Sequence, residues 1–203
     1  MAHETIECDL QNKSEDFIKT YQRANPGGRA KVPVLEIDGE TLVESSVTVE
    51  YLAERAGAPF YPASAAKRAS ARLMAEIQPF QNYFAFIKVR DDKDALAKKV
   101  AEFEEAVENF ETFLEIHQDG DGPFLCGSDM CVGEAMMAPF VVRCGPNLKH
   151  FCGVDVLEIA RRHPRVGRLI TAILERPSVK ETSLSDEKIV EGMTRMMKMF
   201  ASK

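Results

Sequence analysis

The sequence predicts a small α/β domain followed by a larger all-helical domain. Over residues 1–60, stretches of alternating polar and apolar residues are interleaved with helix-like stretches, and such alternation is typical of half-buried strands. Over residues 65–203, apolar residues instead recur every three or four positions, which is the spacing of amphipathic helices. Pro59 and Pro62 brace the join between the two parts.

Two strong turn and cap signals organise the first domain. Asp38-Gly39 predicts a two-residue hairpin turn, and Ser45 and Ser46 are residue types that begin helices. The predicted elements are a strand at 5–10, a helix at 14–22, strands at 32–37 and 40–43, and a helix at 45–55.

Two apolar stripes dominate the second domain. They consist of Leu73, Ile77, Phe80, Phe84 and Ile87, and of Val100, Phe103, Val107, Phe110 and Leu114. Steps of four and three residues predict one buried face on each of two helices. Further helices are predicted at 131–143, 154–176 and 186–201.

Composition excludes several classes of function. The 203 residues carry 26 Lys and Arg against 32 Asp and Glu, a net charge of −6, which argues against nucleic acid and anionic membranes as partners. No apolar run reaches the roughly 18 residues of a spanning helix, and the N-terminus lacks the apolar segment of a signal peptide. The five cysteines include no CxxC pair, so we expect free thiols, no metal site and a cytoplasmic protein.

The segment around Val32-Pro33 carries the first functional signal. A proline at the head of a strand cannot donate to the sheet, which leaves the Val32 backbone available to a partner outside it. If the Val32–Pro33 bond is cis, that backbone turns outward, and a peptide-like ligand could pair with it as an added strand.

Glu44-Ser45 supplies the second signal. Ser45 lies at a predicted strand-to-helix junction, where unpaired N–H groups and the helix dipole favour an anion, and Glu44 beside it could take an ammonium group. A carboxylate, an ammonium and a peptide backbone together describe the γ-glutamyl end of glutathione. Taken alone, Glu44-Ser45 favours an ordinary helix start; together with Val32-Pro33 at the observed spacing, it favours ligand binding.

The whole chain resembles the cytosolic glutathione transferases, most closely the omega and related classes. The matching segments are Leu10–Phe17, Asn25-Pro26, Val32-Pro33-Val34-Leu35, Asp38-Gly39, Glu44-Ser45, Tyr51-Leu52, Gly122–Gly127, Ala138-Pro139-Phe140 and Arg176–Val179. The resemblance implies a thioredoxin-like domain at 1–60, an all-helical domain at 65–203, a homodimer, and a detoxifying transferase that uses glutathione as co-substrate.

The resemblance also implies site residues. Lys13, Val32, Pro33, Glu44 and Ser45 would line the glutathione site, with Lys13 near the glycyl carboxylate. Apart from the resemblance, the aromatic and methionine residues Tyr83, Phe84 and Met196 favour packing in the helical core, and the alternative is that they meet a small apolar electrophile.

The chain departs from the family pattern in its first domain. Only 31 residues precede Val32, and one βαβ unit takes about 30, so the first strand and helix of the family, which carry its usual catalytic Tyr, Ser or Cys, are absent. The vacant place could be filled by residues 5–10 or by a second chain, or the chain is a shortened version of a longer protein. Cys8 is a candidate nucleophile or a buried strand thiol.

Two functions therefore stay open at this stage. One is a transferase that conjugates or transfers glutathione to an apolar electrophile or a disulfide, and the other is a non-catalytic carrier or interaction scaffold.

The chain also departs from the family at the start of a helix in the second domain. Cys131 stands where the family has Ser or Thr, and Glu134 stands where it has Asp, so we expect a capping box at most half formed.

Overall fold

The computed structural model describes residues 3–201, without the side chains of Phe200 and Ala201. The chain divides into two compact units between Ala56 and Gly57. The first unit is α/β and the second is helical, which confirms the predicted fold class. Within the described residues, no helix combines the length and apolarity needed to cross a bilayer.

A hairpin with a helix on either side of it along the chain forms the first unit. Its elements are α1 (Glu15–Ala24), β1 (Val34–Ile37), β2 (Glu40–Val43) and α2 (Ser45–Ala56). β1 and β2 are antiparallel, with Val34 opposite Val43 and Ile37 opposite Glu40. The turn residues Asp38 and Gly39 have φ angles of 52° and 85°, the left-handed pair that matches the twist of a two-residue hairpin.

The predicted strand at 5–10 is wrong. Residues 3–9 have no regular secondary structure, and the sheet in the described part of the chain contains only β1 and β2. Ile6 is 81% exposed and Leu10 is 53% exposed, so the alternating pattern buries too little apolar surface to fix a strand. The predicted strand at 32–37 begins only at Val34, because Pro33 has no N–H to contribute to a ladder.

The second unit is built from eight α-helices and one short 3-10 helix among the described residues. They are α3 (Ala65–Ile77), the 3-10 helix Pro79–Asn82, α4 (Tyr83–Lys88), α5 (Lys93–His117), α6 (Val132–Cys152), α7 (Val156–Arg161), α8 (Pro164–Glu175), α9 (Pro177–Thr182) and α10 (Asp186–Ala201). The single helix predicted at 154–176 is two helices, because Pro164 starts a new one.

The first apolar stripe does not form one buried face. Leu73, Ile77 and Phe84 are 45%, 41% and 40% exposed. The reason is that α3 ends at Ile77 and Pro79 starts a 3-10 turn, so the helical phase is reset before α4. The buried residues of this region are instead Ala71, Met74, Phe80, Tyr83, Phe86 and Ile87.

The second stripe is confirmed on α5 from Phe103 onward. Phe103, Val107, Phe110 and Leu114 are buried, whereas Val100 is only half-buried. Phe103 meets the ring of Phe80 edge-on at 5.8 Å between centroids, and it meets Phe86 in the same way at 6.1 Å. Edge-to-face aromatic pairs at this distance add to the free energy gained by burial, so Phe103 anchors α5 in the core.

Glu134 in the first turn of α6 is a fully buried carboxylate with two backbone partners. Its side chain accepts the N–H of Cys131 at 2.9 Å and the N–H of Leu125 at 2.7 Å. The first bond is the Glu134 half of the expected capping box, and the second ties the preceding loop to α6. Burial raises the pKa of Glu134, against the opposing effect of these N–H groups.

Replacing Glu134 by alanine should lower the free energy of unfolding by about 2–6 kcal/mol, because two buried N–H groups lose their acceptor. Urea unfolding measures the change. Glu105→Ala on the exposed side of α5 is the matched control and should change stability by less than about 0.5 kcal/mol. Equal stabilities of the two variants would show that Glu134 does not hold the loop.

Candidate functional site

The backbone at Val32-Pro33 is open to a ligand. The Val32–Pro33 peptide bond is cis, Val32 is 49% exposed, and its backbone N–H and C=O make no hydrogen bond within residues 3–201. An unpaired backbone segment at the head of a strand can pair with an extended peptide.

The start of α2 lies at the same end of the hairpin. Val34 is opposite Val43 at the open end of the hairpin. Val32 lies two residues before Val34, and Ser45 lies two residues after Val43, so both come at this end. The first backbone bond of α2 runs from the Thr48 N–H to the Glu44 carbonyl at 3.0 Å. The preceding N–H groups of the first turn are therefore left for other acceptors.

Glu44 links the hairpin to α2 in an unusual conformation. Its φ is 69°, a left-handed value that costs a non-glycine residue of the order of 1 kcal/mol. Its carboxylate lies 3.8 Å from the ammonium of Lys31, and both side chains are more than half exposed. Backbone strain of this kind often accompanies binding sites. At Glu44 it occurs beside an exposed carboxylate and a helix terminus whose first N–H groups are unpaired.

Lys13 has a partner within its own unit. Its ammonium donates to the carbonyl of Ala30 at 2.6 Å. This bond fixes the segment just before α1 to the segment that leads to Val32. An ammonium has three donor hydrogens, so the bond to Ala30 leaves two for a ligand.

A cavity of about 900 Å³ lies within the first unit. Its lining comes from the extended N-terminal segment, from α1 and from the start of β1, and includes Cys8, Phe17, Val32, Pro33 and Val34. Cys8 is partly exposed and lies in a segment without regular structure, so it is not the buried strand thiol of one interpretation. The sequence pattern did not show that Cys8 shares a cavity with Val32 and Pro33.

A second cavity, of about 850 Å³, lies within the helical unit. Apolar side chains from α4 and α10 form its walls, and basic side chains lie among them. The lining residues are Phe84, Ile87, Lys88, Arg90, Met193, Met196, Met197 and Lys198. The structure thus brings Phe84 and Met196 together.

Tyr83 does not line this cavity. It is only 5% exposed and stacks on the ring of Phe84 with 4.5 Å between centroids. Its position supports Phe84 and leaves it little surface for a ligand.

Within the described residues, no three His, Cys, Asp or Glu side chains converge on a point where they could hold a metal ion.

Family models match both parts of the chain. The model of the glutathione S-transferase N-terminal domain matches residues 1–60, and that of the glutathione S-transferase C-terminal domain matches residues 74–182.

Individual relatives agree with these matches. The chain is 33% identical over 136 residues to glutathione transferase GST 23 of Zea mays, which covers 66% of this chain and 59% of the relative. It is 29% identical over 138 residues to a probable maleylacetoacetate isomerase 2 of Drosophila melanogaster, which covers 65% of this chain and 58% of the relative. The matched part thus spans about three fifths of the length of these curated relatives.

A solved structure shares the fold. The tau class glutathione S-transferase of Mangifera indica superposes with a TM-score of 0.76 at 21% identity, over 95% of this chain and 86% of its own.

Proposed function

The chain belongs to the glutathione S-transferase family, and from this premise we propose that it binds glutathione on the first unit and transfers it to, or reduces with it, a second substrate. The observation that carries the proposal is that the Val32 backbone, which has no hydrogen-bond partner, and the start of α2 lie at the same end of the hairpin.

Each part of glutathione has a matching group at this end of the hairpin. The cysteinyl backbone pairs with the N–H and C=O of Val32, which have no partner among residues 3–201. The γ-glutamyl carboxylate binds the N–H groups of the first turn of α2 and the hydroxyl of Ser45. Glu44 takes the γ-glutamyl ammonium in competition with Lys31, and Lys13 has donor hydrogens for the glycyl carboxylate.

Ser45→Ala should weaken glutathione binding by about 1–3 kcal/mol, because a hydrogen bond to a charged carboxylate is lost. Isothermal titration calorimetry measures the affinity directly and does not depend on turnover. Ser46→Ala, which removes the neighbouring exposed hydroxyl, is the matched control and should bind like the parent chain. Equal affinities of the parent and Ser45→Ala would remove Ser45 from the site.

Transfer of glutathione requires a thiolate. Cys8 is the thiol whose position supports this role, because it lines the same cavity as Val32 and Pro33. We propose that Cys8 exchanges with a disulfide substrate to form a mixed disulfide that glutathione then resolves. With this assignment, residues of the chain itself supply the thiol of a thiol-transferase activity.

Reduction of a low-molecular-weight disulfide by glutathione should therefore be catalysed by the parent chain and fall to background in Cys8→Ser. Cys152→Ser, in which a partly exposed thiol of the helical unit is lost, should retain the rate. An unchanged rate in Cys8→Ser would exclude Cys8. Glutathione binding without any turnover would instead favour the carrier function.

The second substrate is proposed to be apolar and to occupy the cavity between α4 and α10. The support for this is a wall of Phe84, Met193, Met196 and Met197, side chains that favour apolar ligands. Phe84 keeps 40% of its surface exposed there, so a ligand can still bury it.

Phe84→Ala should weaken the binding of an apolar aryl halide about 5- to 30-fold, since burying part of an aromatic side chain contributes roughly 1–2 kcal/mol. Fluorescence titration or the KM for the halide measures the change. Ile116→Ala, at an exposed residue that lines a different cavity, is the control, and the affinity for glutathione should be the same in both variants. Unaltered halide binding in Phe84→Ala would place the substrate elsewhere.

We further propose a cytoplasmic location and a homodimeric assembly. The five cysteines are all free in the structure, which suits a reducing compartment, and the homodimer follows from the family resemblance.

A further inference from the structure

The outer edge of β1 has no neighbouring strand. In a two-residue turn, the residue after the turn donates its N–H to the carbonyl of the residue before it, so Ile37 and Glu40 are a hydrogen-bonded pair. Bonded and non-bonded pairs alternate along an antiparallel ladder, and the N–H and C=O groups of Val34 and Glu36 therefore point away from β2. Within residues 3–201 the sheet has no third strand, and these groups have no backbone partner. An edge of this kind is a template for another extended chain.

The cavity of about 900 Å³ in the first unit opens onto this edge. Its wall contains the alternate residues Val32, Val34 and Glu36, together with residues 4–10 of the N-terminal segment. At the usual rise, strand spacing and sheet separation, one extended residue occupies about 160 Å³, so the cavity has room for about five residues. The open edge and the space for a short strand therefore lie together.

The wall of this cavity is acidic. Five carboxylates line it, and no basic side chain belongs to its described residues; the acidic residues are Glu4, Glu7, Asp9, Asp16 and Glu36. Glu36 is paired with Arg23 of α1, whereas Glu4, Glu7 and Asp16 are exposed, so a cation from another chain can reach them. Opposite charges on neighbouring strands stabilise their pairing. The wall therefore favours lysine or arginine in its occupant.

Apolar side chains of the same wall are left uncovered. Ile6 is 81% exposed, Leu10 is 53% exposed and Val32 is 49% exposed, although each of them lines the cavity. A strand that lies in the cavity would remove part of this surface from water, which is favourable. The occupant that fits both properties of the wall is an extended segment in which apolar and basic residues alternate.

We propose that the outer edge of β1 and the N-terminal segment form a docking site for an extended segment of another protein, in which apolar residues alternate with lysine or arginine. The segment pairs with the backbone of Val34 and Glu36 as an added strand. The proposal does not depend on glutathione binding at Val32 or on the thiol of Cys8.

A second copy of this chain is a poorer occupant. Its N-terminal segment carries Glu4, Glu7 and Asp9, and its own β1 edge carries Glu36. Either segment would bring carboxylates against the acidic wall, and like charges on neighbouring strands destabilise their pairing.

The probe for this site is a fluorescein-labelled octapeptide in which valine alternates with lysine and threonine. Fluorescence anisotropy with the full chain at low ionic strength should show saturable binding. Two further peptides, each N-methylated on the alternate amides of one edge, test the backbone pairing, and at least one of them should bind about tenfold more weakly, because its donors are lost. Equal binding of all three peptides, or no binding of the unmethylated one, would overturn the proposal.

The charge of the wall is tested by Glu7→Lys, which lies in a segment without regular structure. This variant should bind the octapeptide about two- to fivefold more weakly, as expected for exposed charge pairs. Glu54→Lys is the matched control, because it makes the same change of net charge at an exposed residue of α2 that does not line the cavity, and it should bind like the parent chain. Equal weakening in both variants would mean that the peptide is not held at this wall and would overturn the proposal.

Amide hydrogen exchange followed by NMR locates the bound peptide on the chain. In the free chain, the N–H groups of Val34 and Glu36 should exchange faster than that of Leu35, which is paired with Leu42 in β2. Saturating octapeptide should slow Val34 and Glu36 about tenfold or more. Protection of these two groups without peptide, by the N-terminal segment or by a second copy, would overturn the proposal. Calorimetry measures glutathione binding at Val32 separately, so a failure here is distinguishable from a failure there.

Discussion

The proposed glutathione site depends on the register of one hairpin. With Val34 opposite Val43, the open backbone at Val32 and the first turn of α2 come to the same end of the two strands. A slip of one residue would turn every side chain of the hairpin to the opposite face and would separate these two groups. The turn at Asp38-Gly39 fixes this register, because its left-handed conformations allow only a two-residue connection.

A different constraint organises the helical unit. The buried carboxylate of Glu134 joins α6 to the loop before it through the N–H groups of Cys131 and Leu125. That loop also carries Cys126, so the same two bonds fix the position of the loop against the start of α6. One buried carboxylate therefore holds both the start of α6 and the loop before it.

Sequence patterns predicted those parts of the fold that local chemistry determines. The hairpin and the start of α2 followed from Asp38-Gly39 and Ser45, and the buried face of α5 followed from a stripe that no proline interrupts. The stripe from Leu73 to Phe84 failed because Pro79 resets the helical phase. The strand at 5–10 failed because a strand needs a neighbour, which alternation within one segment cannot supply.

The candidate sites show the same division. The turn at Asp38-Gly39 lies only a few residues from Val32, Glu44 and Ser45. Their proximity could therefore be predicted from the sequence. The position of Cys8 in one cavity with Pro33 depends on a segment without regular structure. Such contacts arise from tertiary packing and leave no periodic signal.

The three methionines in the wall of the α4–α10 cavity bear on selectivity. Their side chains are unbranched and polarizable, so this part of the wall has no fixed contour and can re-form around guests of different outline. The affinity for different ligands would then depend on their hydrophobicity rather than on their shape. A bulky ligand and a slender ligand of equal hydrophobicity would bind about equally well.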